Sequence, residues 1–249
     1  MDESSPVPVE RRQPAGSLVP LVIGFGDPLH ILEVSAGEGT GARGSFLAGL
    51  MPGHTATSFV GRISCMQIYL TPLAVGRLLG HPGSELAGHV IDPAALVPEF
   101  AGSFADRLGS CGTWGERFQL VEARLLGLLA RGGDADPLAD WLWTRLRATG
   151  GRASIARLVD EAGWSHRHVS ATFRRHAGVS PKAFAGIVRF EHAVADLGRH
   201  TPAAVADRHG YADQSHLTRE AVRLAGATPA AFARRPPPTA HTALGTRPG

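Results

Sequence analysis

The sequence predicts an α+β protein: a β-rich N-terminal domain with flanking helices, then an all-α domain with two helix-turn-helix units joined by a long helix. Three observations carry that prediction. Residues 153–235 contain one pattern twice, with apolar, Gly and Pro positions all matching. Residues 18–70 hold short apolar runs punctuated by glycine, one of which alternates apolar and polar residues as a strand does. After Leu70 the apolar spacing changes to the three-and-four rhythm of helices.

In the first copy of the repeat, Ile155, Leu158, Val159 and Ala162 fall at i, i+3, i+4 and i+7 and make one apolar helical stripe. Gly163 supplies the left-handed residue that ends this helix. Ser165 caps the next one, on which Val169 and Phe173, four apart, face inward. Arg167, Ser170, Ala171 and Arg174 are left on the other faces. Residues 181–197 read as one longer helix, with Phe184, Ile187, Val188 and Val194 available for burial. Thr201 and Pro202 then open the second copy as an N-cap and a first-turn proline. Leu158, Val159 and Gly163 map onto Val205, Ala206 and Gly210 with a shift of 47. Arg175, Gly178, Pro181 and Phe184 map onto Arg223, Gly226, Pro229 and Phe232 with a shift of 48, so the second turn carries one extra residue.

Residues 1–17 are rich in Pro and Ser, include Arg11 and Arg12, and are expected to form a disordered tail, as are residues 236–249. The runs 18–23, 30–34, 46–51 and 63–70 read as strands. The last is the clearest, because Met66, Ile68 and Leu70 alternate with Gln67 and Tyr69. Residues 37–41 form a Gly-rich loop without the Lys-Ser/Thr of a phosphate-binding loop. Thr71 and Pro72 start a helix that Gly80 stops. Residues 84–90 and 92–104 suggest two short helices. Residues 114–129 give the strongest helix, with Phe118, Val121, Leu125 and Leu128 on one stripe. Residues 137–146 carry Trp141 and Trp143 and lead to Gly150 and Gly151, which read as a hinge. The expected domains are therefore 18–150 and 151–235.

A length of 249 residues suits two domains, each able to bury its own core. No apolar run approaches the roughly 20 residues of a membrane span, and the acidic start at Asp2 and Glu3 is unlike a signal peptide. Cys65 and Cys111 have no metal or redox spacing, and a cytoplasmic location is expected. The net charge is +3, but residues 153–235 carry 12 Arg and Lys against 7 Asp and Glu, while residues 1–152 are net −3. A basic helical half joined to a mildly acidic half fits a DNA reader with a separate sensing module.

The run from Gly210 through Tyr211, Ala212, Asp213, Gln214, Ser215, His216, Leu217 and Thr218 to Arg219, followed by Gly226, Thr228, Pro229 and Phe232, resembles the signature of the AraC/XylS transcriptional regulators. Their DNA-binding domain carries two helix-turn-helix units joined by a long helix. One departure is Ala221, the counterpart of Phe173, where the family usually has phenylalanine. In the other half, Leu70, Thr71, Pro72, Leu73, Leu78, Leu79, Gly80, Glu85, Leu86 and Asp92, then Glu116, Arg117, Phe118 and Leu125, are similar to the small N-terminal domain of many actinobacterial members. That resemblance implies ligand sensing or dimerisation.

Carried over residue by residue, the resemblance implies base contacts from Arg167, Ser170 and Ala171 in the first unit and from Gln214, Ser215, His216 and Arg219 in the second. Arg167 and Arg219 suit guanine and Gln214 suits adenine. Arg174, Arg175, Lys182 and Arg223 are expected on phosphates, where they fix register. Two unlike units in head-to-tail order predict an asymmetric site of two boxes about one helical turn apart. Double-stranded promoter DNA is the implied partner, with RNA polymerase, a small-molecule effector and a second copy in a homodimer as further ones. No cofactor and no membrane partner are expected.

Other chemistry finds little support. His30, His54, His81 and His89 show no paired metal-ligand spacing and are expected in loops or on the surface. Cys65 and Cys111 lack the Pro-Cys-His-Arg context of alkyl-transfer domains and are expected as small core residues. No serine sits in a Gly-x-Ser-x-Gly elbow, so no enzyme is expected. The alternative is a small-molecule-binding or protein-interaction module with weakened specific DNA binding, to which Ala171 and Ala221 lend weight.

Overall fold

The structure, a computed structural model, describes residues 1–233; the tail expected at 236–249 lies outside the described residues. The first half runs β1 (Asp2–Gln13), β2 (Val19–Gly24), β3 (Leu29–Val34), β4 (Gly41–Arg43), β5 (Phe46–Ala48), β6 (Thr55–Leu70), α1 (Pro72–Leu79), α2 (Gly83–Leu86) and β7 (Val90–Ile91). It continues as α3 (Pro93–Leu96), a 3-10 turn at Pro98–Phe100, α4 (Gly102–Ser110), α5 (Trp114–Arg131) and α6 (Pro137–Ala148). The repeated region gives α7 (Ile155–Ala162), α8 (His166–Ala177), α9 (Pro181–Asp196), α10 (Pro202–Arg208), α11 (Gln214–Ala225) and α12 (Pro229–Ala233). The chain is thus α+β, a curled antiparallel sheet followed by helices.

β6 is the spine of the sheet, whose strand order is β4-β3-β6-β2-β5-β7 with β1 also on β6. Its first half pairs with β1 and β3, and its second half pairs with β2. β1 stays paired through Ser64 and β2 takes over at Cys65; within this stretch Gly61 has φ +87°, and a Cβ there would lie 2.3 Å from Asp27 Oδ2. Opposite this point the β1 register slips between Ser5 and Val9. A bulge of this kind adds local bend and twist, which curls the sheet. Val22, Ile31, Phe46, Met51, Cys65 and Val90 fill the curl. Leu21, Ile23, Leu47 and Met66 face the helices and join a larger core.

Several expectations are corrected here. Residues 1–17 are not a disordered tail, since Asp2–Gln13 is an edge strand. Its charged side chains and its two prolines, Pro6 and Pro8, are what a protected edge with an irregular register tolerates. On the α5 stripe, Val121 and Leu128 are buried, but Phe118 is 56% exposed and leans on Trp114. The span 92–104 is broken into three short pieces by Pro98 and the Ala101 corner. His54 is buried at 8% exposure, beside Glu33. Cys65 is buried, while Cys111 is half-buried with Sγ donating to Arg107 O.

Gly150 and Gly151 do not form an open hinge. Both adopt positive φ, and their amides bond back to Arg147 O and Leu146 O at 2.9 Å, which ties off the end of α6. A Cβ on Gly151 would lie 2.1 Å from Ala185 O of α9, so only glycine allows this approach. Ala139, Leu142 and Leu146 of α6 are fully buried, and the helix packs on α8 and α9. It therefore belongs to the helical core, although it precedes the boundary expected at residue 150.

Candidate DNA interface

Each repeat builds the same local device from side-chain caps and left-handed glycines. Ser154 caps α7 through Arg157 N, and Gly163 ends it at φ 70°. Ser165 caps α8 through His168 N, and Gly178 ends it at φ 86°. In the second unit Thr201 caps α10 through Ala204 N, and Asp213 caps α11 through His216 N at 2.6 Å, with Gly226 ending it. The caps satisfy amides that the helix itself leaves unpaired, so both second helices start at defined residues. α9, capped by Ser180, runs between the units and buries Phe184, Ile187, Val188 and Phe190.

The fully buried Val169 and Phe173 anchor α8, and Leu217, Ala221 and Leu224 anchor α11. That leaves Arg167 and Ala171 exposed with Ser170 half-buried on α8, and Gln214, Ser215 and Arg219 exposed on α11. Arg174, Arg175 and Lys182 are exposed as well. Among the described residues, Arg167, Arg174, Arg175, Lys182 and Arg219 make no ion pair or side-chain hydrogen bond. Most other arginines around the helical domain are engaged: Arg145 with Glu161, Arg189 with Glu220, and Arg208 with Asp196. Five unpartnered cations thus lie on or beside the two exposed helix faces, while Arg157 of α7 and Arg199, ahead of α10, are exposed and unpartnered elsewhere.

Two implied contact residues are placed differently. His216 is half-buried; its ring meets Tyr211 edge-on at 5.3 Å, and Nδ1 accepts from Ala212 N at 3.4 Å, so it braces the turn. Arg223 donates to Glu220 Oε1 at 3.1 Å and to Pro52 O of the N-terminal half at 3.2 Å.

A buried polar group unforeseen in the sequence lies behind α11. Glu220 is buried and meets Arg189 at 3.4 Å as well as Arg223. The Arg189 guanidinium sits 4.8 Å over the Tyr211 ring. Burial, with the Glu220 carboxylate nearby, pushes the Tyr211 phenol well above its ordinary range. Charged residues are almost never fully buried unless paired, and here the pairing ties α11 to α9. Below it, Asp196 binds His209 at 2.9 Å, and that hydrogen bond holds the Asp196 carboxyl below its usual value.

The N-terminal half touches both units. α2 packs on α8, and Ser84 lines a shallow groove with Ser170, Ala171, Arg174 and Arg175. At α11, Arg12 donates to Gly226 O at 2.8 Å, and Ala15 N donates to Leu224 O at 2.7 Å. Among the described residues no group of three or more His, Cys, Asp and Glu could hold a metal ion, and no helix is long and apolar enough to cross a membrane.

Residues 158–235 match the family model described as a helix-turn-helix domain. No curated protein matches the chain. Among solved structures, the chain is similar to ToxT from Vibrio cholerae, at 8% identity over 93% of this chain and 95% of that one, with a TM-score of 0.50. A ToxT structure bound to (E)-4-(8-methylnaphthalen-1-yl)but-3-enoic acid gives 10% identity, 93% and 96% coverage, and a TM-score of 0.49. The C-terminal domain of AraT, a response regulator from Geobacillus stearothermophilus, gives 16% identity over 45% of this chain and 96% of that one, at 0.39. At 8% identity the likeness to the first ToxT structure is one of fold.

Proposed function

We propose, starting from the AraC-type helix-turn-helix domain at residues 158–235, that this chain is a sequence-specific DNA-binding transcription regulator. In this reading α8 and α11 enter successive major grooves of one duplex. Arg167, Ser170 and Ala171 read one box, and Gln214, Ser215 and Arg219 read the other. Arg174, Arg175 and Lys182 fix the register on phosphates. His216 and Arg223 take smaller parts, because each is committed to a protein partner. The single observation that carries the reading is the set of exposed, unpartnered cations on the outer faces of the two capped helices.

Control through the N-terminal half is the second part of the proposal, by a small-molecule effector or a partner protein. Its support is contact: the sheet side touches α8 and α11 at different places, so a change in that half has two routes to the reading helices. Homodimer formation and contact with RNA polymerase belong to the same proposal. Against the alternative of an interaction module with weakened DNA reading stands the burial of Ala221 among Ile187, Phe190, Leu224 and Ala15.

Selection of bound duplexes from a random DNA pool by the full chain tests the reading. The expected product is an asymmetric motif of two unlike boxes about one helical turn apart. A pool that stays random after repeated rounds would refute specific DNA binding.

A further inference from the structure

The repeat places an aromatic–histidine pair at the turn of each unit. In the second unit Tyr211 is 5% exposed and the half-buried His216 closes on it, so the aromatic ring there is core. In the first unit the corresponding pair is Trp164 and His168, with ring centroids 4.7 Å apart and planes 32° from each other. Here Trp164 is 58% exposed and His168 is exposed too. A residue just before an N-cap often staples the helix by packing on the fourth helical residue, which is Val169. Stapling alone would hide this side chain, and Trp164 instead ranks among the exposed large hydrophobic residues.

Helix geometry says what this surface faces. At about 100° per residue, His168 lies roughly a quarter turn from Arg167, on the flank of the reading face formed by Arg167, Ser170, Ala171 and Arg174. Arg175, seven residues beyond His168, returns to within about 20° of it. Both are exposed. A helix seated in a major groove about 12 Å wide points one face at the base edges and its flanks at the phosphate walls. Trp164, His168 and Arg175 therefore form one line along a flank, with Trp164 beside the leading end of α8. The line combines a flat apolar surface, an indole N–H donor and a cation, which suits a sugar–phosphate strand.

We propose that the stacked Trp164–His168 pair is a backbone clamp, laying the indole against a deoxyribose and its phosphate at the edge of the first box. This rests on the DNA-binding reading above and adds to it a contact that positions α8 without reading sequence. The counterpart aromatic in the second unit, Tyr211, is buried, so the clamp belongs to the first box alone.

The test uses the full chain with the duplex recovered from the pool and with a random duplex. Trp164→Ala is expected to weaken both by roughly tenfold, as loss of a well-packed aromatic contact does, with base preference and unfolding midpoint unchanged. In the unaltered protein, saturating DNA is expected to shield the most iodide-accessible tryptophan fluorescence, and Trp164→Phe removes that shielded fraction. Wild-type affinity for both duplexes in Trp164→Ala, or an indole still open to iodide in the saturated complex, would overturn the clamp alone. No duplex binding by the wild type would overturn the DNA-binding reading with it.

Discussion

Phe173 and Ala221 hold the same place in two copies of one motif, and both are fully buried. Phe173 meets the Phe184 ring at 5.5 Å. Ala221 lies in one buried cluster with Ile187, Phe190, Leu224 and Ala225, together with Ala15 from the N-terminal half. A site enclosed by these side chains favours repacking over a void, so Ala221→Phe is expected to lose about 1–3 kcal/mol to overpacking. Phe173→Ala is expected to lose about 3–5 kcal/mol, because its neighbours cannot collapse fully into the cavity. Urea unfolding of the full chain measures both, and a higher midpoint for Ala221→Phe would show a void instead. The equivalence of the two positions was legible in the sequence, as were the exposed Arg167, Gln214 and Arg219. Ala15 as a member of the Ala221 cluster was not, since nothing in a local pattern reports a contact from the far end of the chain. The same reason hid the commitment of Arg223 to Pro52. A second pair of substitutions separates the cations. Arg219→Ala should cost about 1–3 kcal/mol on the recovered site and relax one base position. Arg175→Ala should weaken cognate and random duplexes alike and make the salt slope shallower. Even losses across all sequences in both variants would end that division.

At the scale of elements, helices with caps and stripes were read closely from sequence, because a cap and a 3.6-residue period are local signals. α1, with Thr71, Pro72 and Gly80, is one such case, and α8, with Ser165 and Gly178, is another. β1 was missed because an edge strand keeps its solvent side polar, and its prolines sit where the register slips. α6 was read as a helix, but its packing on α8 and α9 was not, since periodicity reports an apolar stripe and not what covers it. Leu142 and Leu146 each bury a side chain worth about 1.5–3 kcal/mol against α8 and α9. A fragment of residues 136–249 should therefore fold as a helical domain with a cooperative melt, whereas residues 151–249 should melt broadly or not at all. Circular dichroism of the two fragments decides it, and equal cooperativity would return α6 to the N-terminal half.

For the whole molecule, one apolar cluster crosses from the sheet to the helix-turn-helix region: Leu21, Leu50, Val75 and Leu86 share it with Leu158, Val169, Phe173 and Phe184. A second tie runs through Arg12, Ala15 and Arg223. Shared core predicts shared unfolding, so helical signal and sheet opening should follow one transition in the wild type. Cys65 reports the sheet side, for it is buried and burial raises its thiol above the ordinary value, which suppresses the reactive thiolate. Gly83 is the place to break the coupling. A Cβ there would lie 2.2 Å from the backbone oxygen of His176, so even alanine must push α2 away from the end of α8. In Gly83→Ala, Cys65 should become reactive toward a thiol reagent at a lower temperature than the helical signal is lost, while in the wild type the two midpoints coincide. Coincident midpoints in Gly83→Ala, at whatever temperature, would mean that the tie through Arg12, Ala15 and Arg223 suffices to hold the halves together.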